Sequence, residues 1–92
     1  MFNNSFLKKL NILFIESNDE DRKHFSNILY KFFNNVVVCS NGKDGIDSFL
    51  EKREEYFVDI IICDKTLDDI TGIEVLKKIR ERDSEIPFII TS

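Results

Sequence analysis

Four short, nearly continuous runs of apolar residues are spread along the chain. They are residues 10–15 (LNILFI), 36–39 (VVVC), 57–63 (FVDIIIC) and 88–90 (FII). Runs of this kind are typical of parallel strands that are covered on both faces of a sheet. The pattern therefore predicts four buried strands.

Apolar residues with helical spacing fill the intervals between these runs. The longest stripe is Phe25, Ile28, Leu29, Phe32 and Phe33, and two shorter ones are Ile46, Phe49 and Leu50, then Val75, Leu76 and Ile79. Three pairs with capping-box spacing mark the helix starts, namely Ser17 with Glu20, Asn41 with Asp44, and Thr71 with Glu74. The resulting order β-α-β-α-β-α-β predicts an α/β fold with a doubly wound parallel sheet.

Composition and charge narrow the class of protein. The 92 residues allow one small domain, and 42% hydrophobic with 33% charged residues indicates a globular chain. A net charge of −4 argues against nucleic-acid binding, and no apolar stretch approaches the ~20 residues that span a membrane. The N-terminus lacks a signal-peptide core, so we expect a cytoplasmic protein. Cys39 and Cys63 are expected to be reduced core residues, and His24 a helix-surface residue.

Polar side chains follow three of the predicted strands. The first is followed by Glu16 and Ser17, the third by Asp64, and the fourth by Thr91. In an open parallel sheet, ligands bind beyond the carboxyl ends of the strands. Carboxylates gathered there would repel one another unless a cation lay among them, and oxygen ligands suit Mg²⁺. An aspartate beside Mg²⁺ can be a nucleophile toward phosphorus.

The same acids can have a purely structural role. The pattern leaves open whether Asp64 is reactive or only terminates its strand. For Asp68 and Asp69 we favour solvated turn residues.

Three segments, in this order, resemble the receiver domain of two-component response regulators (CheY-like). They are ILFIES, VDIIICDKTLDDITGIEVLKKIR and IPFIITS, and the eight-residue step from Asp64 to Gly72 matches the family's spacing. The resemblance implies a flavodoxin-like fold in which Asp64 accepts phosphate from a sensor histidine kinase or a phosphotransfer protein. It also implies that Glu16 helps to hold Mg²⁺ through water, that the Thr66 backbone carbonyl and Asp64 are metal ligands, and that Thr91 is the switch hydroxyl.

Two departures from the family change these expectations. Ser17 stands where the family usually has its direct metal-binding acid, so it is a doubtful ligand and Mg²⁺ binding is expected to be weak; Asn18 or Asp19 can partly substitute. The chain ends at Ser92, without the family's last helix-strand-helix and the lysine that contacts the phosphoryl group. We therefore interpret residues 1–92 as a single partial receiver domain, and an output domain can follow residue 92.

The predicted function is that of a phosphoacceptor rather than an enzyme, with at most self-phosphorylation and self-dephosphorylation. The alternative is a receiver fold that acts as a protein-interaction module without phosphorylation, which Ser17 and the missing lysine favour. Asp-Lys-Thr also opens the phosphorylation motif of ion-pumping ATPases, but that motif continues with Gly-Thr, whereas this chain continues Leu67-Asp68.

The last predicted strand has a consequence for association. Without a fifth strand, residues 88–90 would form an apolar sheet edge, and such edges pair with other chains. We expect a symmetric homodimer that pairs the two fourth strands antiparallel.

Overall fold

Four parallel strands and three α-helices alternate along the described part of the chain, as predicted. The structure, a computed structural model, describes residues 5–51 and 57–92. A short 3-10 helix (Leu7–Lys9) is followed by β1 (Asn11–Ile15), α1 (Asp19–Phe32), β2 (Asn35–Cys39), α2 (Gly42–Glu51), β3 (Ile60–Asp64), α3 (Gly72–Arg80) and β4 (Phe88–Thr91). Within the described residues, every helix is too short or too polar to cross a lipid bilayer.

The strands form one sheet in the order β2-β1-β3-β4. The chain passes from β1 to β2 on one side and then returns to β3 on the other side of β1. The point where the strand order reverses therefore lies between β1 and β3, where Ile15 pairs with Cys63 at the carboxyl ends. Open α/β sheets bind their ligands beside this point. The predicted α/β fold with a doubly wound parallel sheet is confirmed.

Each face of the sheet has its own hydrophobic core. Leu13 and Ile15 of β1 point toward α2 and α3, together with Ile61 and Cys63 of β3. The alternate residues Ile12 and Phe14 point toward α1, as the two-residue period of a strand requires. These β1 residues are at most 3% exposed, and their burial is the main stabilising contribution of the central strand.

The apolar stripe of α1 is only partly covered. Leu29 and Phe33 pack against the core on their face of the sheet. Phe25 and Ile28, on the same stripe, remain 47% and 38% exposed. The prediction of an amphipathic helix is confirmed, and α1 also leaves apolar surface beside the sheet.

Two local expectations need correction. Asn18, not Ser17, caps α1, because its side-chain oxygen accepts from the Asp21 N–H at 2.9 Å. The third strand begins at Ile60 rather than at Phe57, which is 79% exposed. Before Ile60 the chain is held by Asn11 instead: its N–H donates to the Asp59 carboxylate and its side chain to the Phe57 carbonyl oxygen, at 2.8 and 2.7 Å.

The predictions for the other caps and for the sulfur and imidazole groups are confirmed. Asn41 and Thr71 accept from the Asp44 and Glu74 N–H groups at 2.8 and 3.1 Å. Both cysteines are reduced, with Cys63 buried and Cys39 half-buried. Burial, followed by the charge of Asp64, raises the pKa of Cys63 to about 12. His24 lies exposed on α1.

Candidate functional site

Asp64 is the last residue of β3 and lies at the carboxyl edge of the sheet. It pairs in register with Thr91 of β4. The next residue, Lys65, continues this pairing, since its N–H donates to the Thr91 carbonyl oxygen at 2.7 Å. Paired residues of parallel strands point to the same face, so the Asp64 carboxylate and the Thr91 hydroxyl are directed to the side of α1.

Glu16 lies next to Asp64, directly after β1. It is 6% exposed, and its side-chain Oε2 accepts from the Asn18 N–H at 3.1 Å. Burial raises the pKa of Glu16, and a hydrogen bond to Asp64 and the charge of Asp64 raise it further, against the opposing effect of the Asn18 N–H. Two carboxyl groups, one of which raises the proton affinity of the other in this way, form a site where a cation would be favourable.

A cavity of about 280 Å³ brings the predicted site residues together. Its polar lining includes Glu16, Asp64 and Thr91. Its apolar wall comes from the sheet and from α1 and consists of Phe14, Phe25, Ile28, Leu29 and Ile62. Glu16, Asp64 and Thr91 therefore meet in one cavity, as the sequence predicted for the ends of neighbouring strands.

Asp21 is a cavity residue that the sequence analysis did not identify. It lies in the first turn of α1, lines the cavity, and its charge contributes to raising the pKa of Glu16. The helical spacing of the sequence could have identified Asp21. Phe25 and Ile28 follow it by four and seven positions, so all three lie on one face of α1, and all three line the cavity.

Ser17 and Thr66 are not among the residues that line this cavity. The Ser17 hydroxyl donates to the Ser40 carbonyl oxygen at 2.7 Å and accepts from the Asp68 N–H at 2.9 Å. Thr66 is exposed and forms an isolated bridge with Thr71 across the loop between β3 and α3. The structure therefore unites three of the five candidate residues and directs the Ser17 side chain to the neighbouring loops.

The proposed substitutes for the acid at position 17 also have other contacts. Asn18 caps α1, and the Asp19 carboxylate pairs with Arg22 at 2.6 Å. The same guanidinium donates to the carbonyl oxygens of Glu16 and Ser17 at 3.0 and 3.1 Å. Arg22 thus fixes the backbone of the loop between β1 and α1, which carries Glu16.

Asp69 is exposed, as the sequence predicted, and it also caps a helix that is distant in sequence. Its carboxylate accepts from the Gly42, Lys43 and Ile70 N–H groups, each at 2.8 Å. Burial acts to raise the pKa of Asp69, but these N–H groups outweigh it and the pKa is lowered. Asp69 therefore caps the N-terminus of α2 from a loop 27 residues away, and Asp68 is exposed like Asp69, as expected.

The loop after Asp64 returns closely to the strand at Gly72. The Gly72 N–H donates to the Lys65 carbonyl oxygen at 2.9 Å. A Cβ at Gly72 would lie 2.5 Å from the Asp64 carbonyl oxygen. A side chain at position 72 would therefore clash with the end of β3, and glycine avoids this clash.

The oxygen atoms that line the cavity fit a Mg²⁺ ion that has few protein ligands and keeps several of its waters. In the described part of the chain, no group of three or more His, Cys, Asp or Glu residues is arranged to hold a metal. Glu16 and Asp64 nevertheless contribute two neighbouring carboxyl groups to the lining of the cavity. Mg²⁺ often keeps several waters and binds through one or two carboxylates, so two carboxyl groups are the type and number of ligands that the ion can use.

Comparison with known proteins agrees with this geometry. The chain is 30% identical over 86 residues to the 3',5'-cyclic-nucleotide phosphodiesterase regA of Dictyostelium discoideum, covering 91% of this chain and 11% of that protein. It is 38% identical over 58 residues to the response regulator ArlR of Staphylococcus aureus, covering 63% of this chain and 25% of that protein. The chain thus spans a quarter or less of the length of these relatives.

A solved structure shows the same fold. A chain of the CheX-CheY-BeF3-Mg²⁺ complex of Borrelia burgdorferi superposes with a TM-score of 0.77 at 22% identity, covering 88% of this chain and 60% of that one. The family model of the response regulator receiver domain matches residues 12–92. The chain therefore belongs to the receiver domains of response regulators in two-component signalling.

Proposed function

We propose that the chain is a partial receiver domain that accepts a phosphoryl group on Asp64 from a sensor histidine kinase or a phosphotransfer protein. One observation carries this proposal: Asp64 ends β3 in a cavity that also contains Glu16 and its register partner Thr91. By the same reasoning the chain is an acceptor rather than an enzyme with a separate substrate. The protein would be located in the cytoplasm, and an output domain would respond to the phosphorylation of Asp64.

The proposed reaction uses groups of this chain for attack and for stabilisation of the product. A carboxylate oxygen of Asp64 attacks the phosphorus of a phosphohistidine, an O–P bond forms, and the N–P bond breaks with its electron pair returned to the imidazole. The Thr91 hydroxyl, on the neighbouring strand, would donate to a phosphoryl oxygen. Glu16 and Asp64 would hold Mg²⁺ with the Thr66 carbonyl, and the ion would supply charge neutralisation at the phosphoryl group.

The first prediction is that acetyl phosphate with Mg²⁺ adds a single phosphoryl group, at Asp64. Asp64 is the acid that ends β3, and its carboxylate lines the cavity together with Glu16. Intact-mass and peptide mass spectrometry after reductive trapping of the acyl phosphate measure the modification and its position. Asp64→Asn should abolish it, and the control Asp68→Asn, which changes an exposed acid four residues away, should not.

The family's lysine that contacts the phosphoryl group is not assigned to any of these residues, so the same reaction is also run on a lysine-bearing parent protein. Modification of a different carboxylate, or none in that parent, would refute the assignment of Asp64.

The second prediction is that Mg²⁺ binds weakly and that Ser17→Asp strengthens binding by about tenfold, since a direct carboxylate ligand and one negative charge are added. Isothermal titration with Mg²⁺ measures the affinity. The variant should also be less stable without metal, because a carboxylate near Glu16 and Asp64 adds repulsion and cannot donate to the Ser40 carbonyl oxygen. An unchanged affinity would place position 17 outside the metal site.

The second candidate function is an interaction module that signals without phosphorylation. The observation that favours it is the Ser17 hydroxyl, which binds the Ser40 carbonyl and the Asp68 N–H instead of lining the cavity. Saturable Mg²⁺ binding that Asp64→Asn removes would support the phosphoacceptor. If neither the wild type nor Asp64→Asn bound Mg²⁺, the result would support the interaction module.

We further propose that two copies of the chain associate through β4. Within the described residues, β4 pairs with β3 alone and forms an edge of the sheet. Ile89 is 49% exposed on this strand and points, like its register partner Ile62, to the face that carries α1. Exposed apolar groups beside free strand N–H and C=O groups favour pairing with a second strand.

A further inference from the structure

Two side chains tie together the three loops at the carboxyl edge of the sheet. These loops are residues 16–18 after β1, residues 40–41 after β2, and residues 65–71 after β3. The Ser17 hydroxyl contacts both neighbouring loops at once, through the Ser40 carbonyl and the Asp68 N–H. A hydroxyl can do this because it is both a donor and an acceptor, whereas a carboxylate only accepts.

Asp69 provides the second connection. Its two carboxylate oxygens accept separately from the Gly42 and Lys43 N–H groups at the start of α2. These are unsatisfied donors of the first helical turn, where a negative charge is also favourable. Asp69 therefore joins the loop after β3 to α2 by two charge-assisted hydrogen bonds.

Packing supports the same connection independently of the hydrogen bonds. A Cβ at Gly42 would lie 2.5 Å from Cγ1 of Ile70, the residue after Asp69. Ile70 belongs to the partly buried residues that pack against the core between the sheet and α2 and α3. The loop therefore lies directly on the first turn of α2.

We infer that Ser17 and Asp69 are positioning residues that hold the 65–71 loop, which begins directly after Asp64, against the 16–18 loop and the start of α2. The inference rests on the proposed function insofar as Asp64 is the reacting group. It assigns Ser17 a role other than metal binding: the hydroxyl orders the segment that carries the Thr66 carbonyl. It also makes the Gly42 and Lys43 N–H groups reporters of events at Asp64.

The first test measures the connection itself and needs no phosphorylation. Amide hydrogen exchange in Ser17→Ala should be about fivefold faster at the Asp68 N–H, because one hydrogen bond is lost. Ser17→Thr keeps the hydroxyl and should restore the slow exchange. In Asp69→Ala the Gly42 and Lys43 N–H groups should exchange at least about fivefold faster, since each loses its charged acceptor.

Two matched controls distinguish the loss of these hydrogen bonds from a general destabilisation of the loops. Ser40→Ala removes a hydroxyl in the same region but leaves the carbonyl that Ser17 binds. Asp68→Ala removes an exposed acid next to Asp69 and leaves its N–H donor in place. Both should keep wild-type exchange at all three amides. Equal exchange in Ser17→Ala, Asp69→Ala and the wild type would overturn the inference.

The second test asks whether a change at Asp64 reaches the start of α2, and it uses NMR titration with Mg²⁺. In the wild type, the Gly42 and Lys43 amide signals should shift with the same apparent Kd as the Asp64 signal. In Asp69→Ala the Asp64 signal should still respond while the α2 signals no longer follow it. A wild-type response confined to Asp64 would overturn the coupling. No Mg²⁺ response in any variant would count against the proposed function, and the exchange experiment would still decide on the positioning role.

Discussion

Gly72→Ala is expected to lower the free energy of unfolding by about 1–3 kcal/mol, the usual cost of forcing a group into a packed site. The added Cβ would lie 2.5 Å from the Asp64 carbonyl oxygen and 3.2 Å from the Lys65 Cα. Neither backbone atom can move freely, because Asp64 pairs with Thr91 and the Lys65 N–H donates to the Thr91 carbonyl oxygen. Urea denaturation followed by circular dichroism measures the change.

The sign of this effect distinguishes steric crowding from helix propensity. Gly72 is the first residue of α3, and no described glycine has a positive φ. A glycine-to-alanine change without crowding would therefore stabilise the protein by about 0.4–1 kcal/mol through the unfolded state. The neighbouring change Ile73→Ala, at a side chain 45% exposed, is the control and should have a small effect. A Gly72→Ala protein as stable as the wild type would show that the loop does not approach Asp64 this closely.

The sequence predicted the strands and most helix caps because these depend on neighbours along the chain. Apolar runs identify β1 and β2 within a residue, and the cap at Thr71 depends on a partner three positions away. The error at α1 has a specific cause: Ser17 and Asn18 are both good cap residues, and only the position of the Ser40 carbonyl decides which one turns away.

The candidate site was predictable where strand order sufficed. Glu16 directly follows β1, while Asp64 and Thr91 are the last residues of β3 and β4, and these three strands are neighbours in the sheet. Asp69 was not predictable in this way, because its partners lie 26 and 27 residues earlier at the start of α2. The Ser17–Asp68 contact spans 51 residues for the same reason. Local patterns identify which groups reach an edge of the sheet, but the contacts between loops depend on how the helices are placed.

The exposed surface beside β4 leads to the expectation of a homodimer that Ile89→Lys dissociates. Two β4 strands related by a two-fold axis would pair antiparallel, with each Ile89 near the axis. A lysine there would bring two like charges together at a short edge strand, which is a known way to prevent edge pairing. We expect the wild type to be dimeric at high micromolar concentration and the variant to be monomeric, as measured by multi-angle light scattering.

Ile73→Lys is the matched control for this experiment. Ile73 is 45% exposed, close to the 49% of Ile89, but it lies on α3 rather than on the edge strand. The two variants therefore carry the same added charge and a similar change in exposed apolar surface. If association depended on exposed apolar surface in general, both variants would weaken the dimer equally. If it depended on pairing of the β4 strands, only Ile89→Lys would weaken the dimer. A monomeric wild type, or a dimer indifferent to Ile89→Lys, would refute pairing through β4.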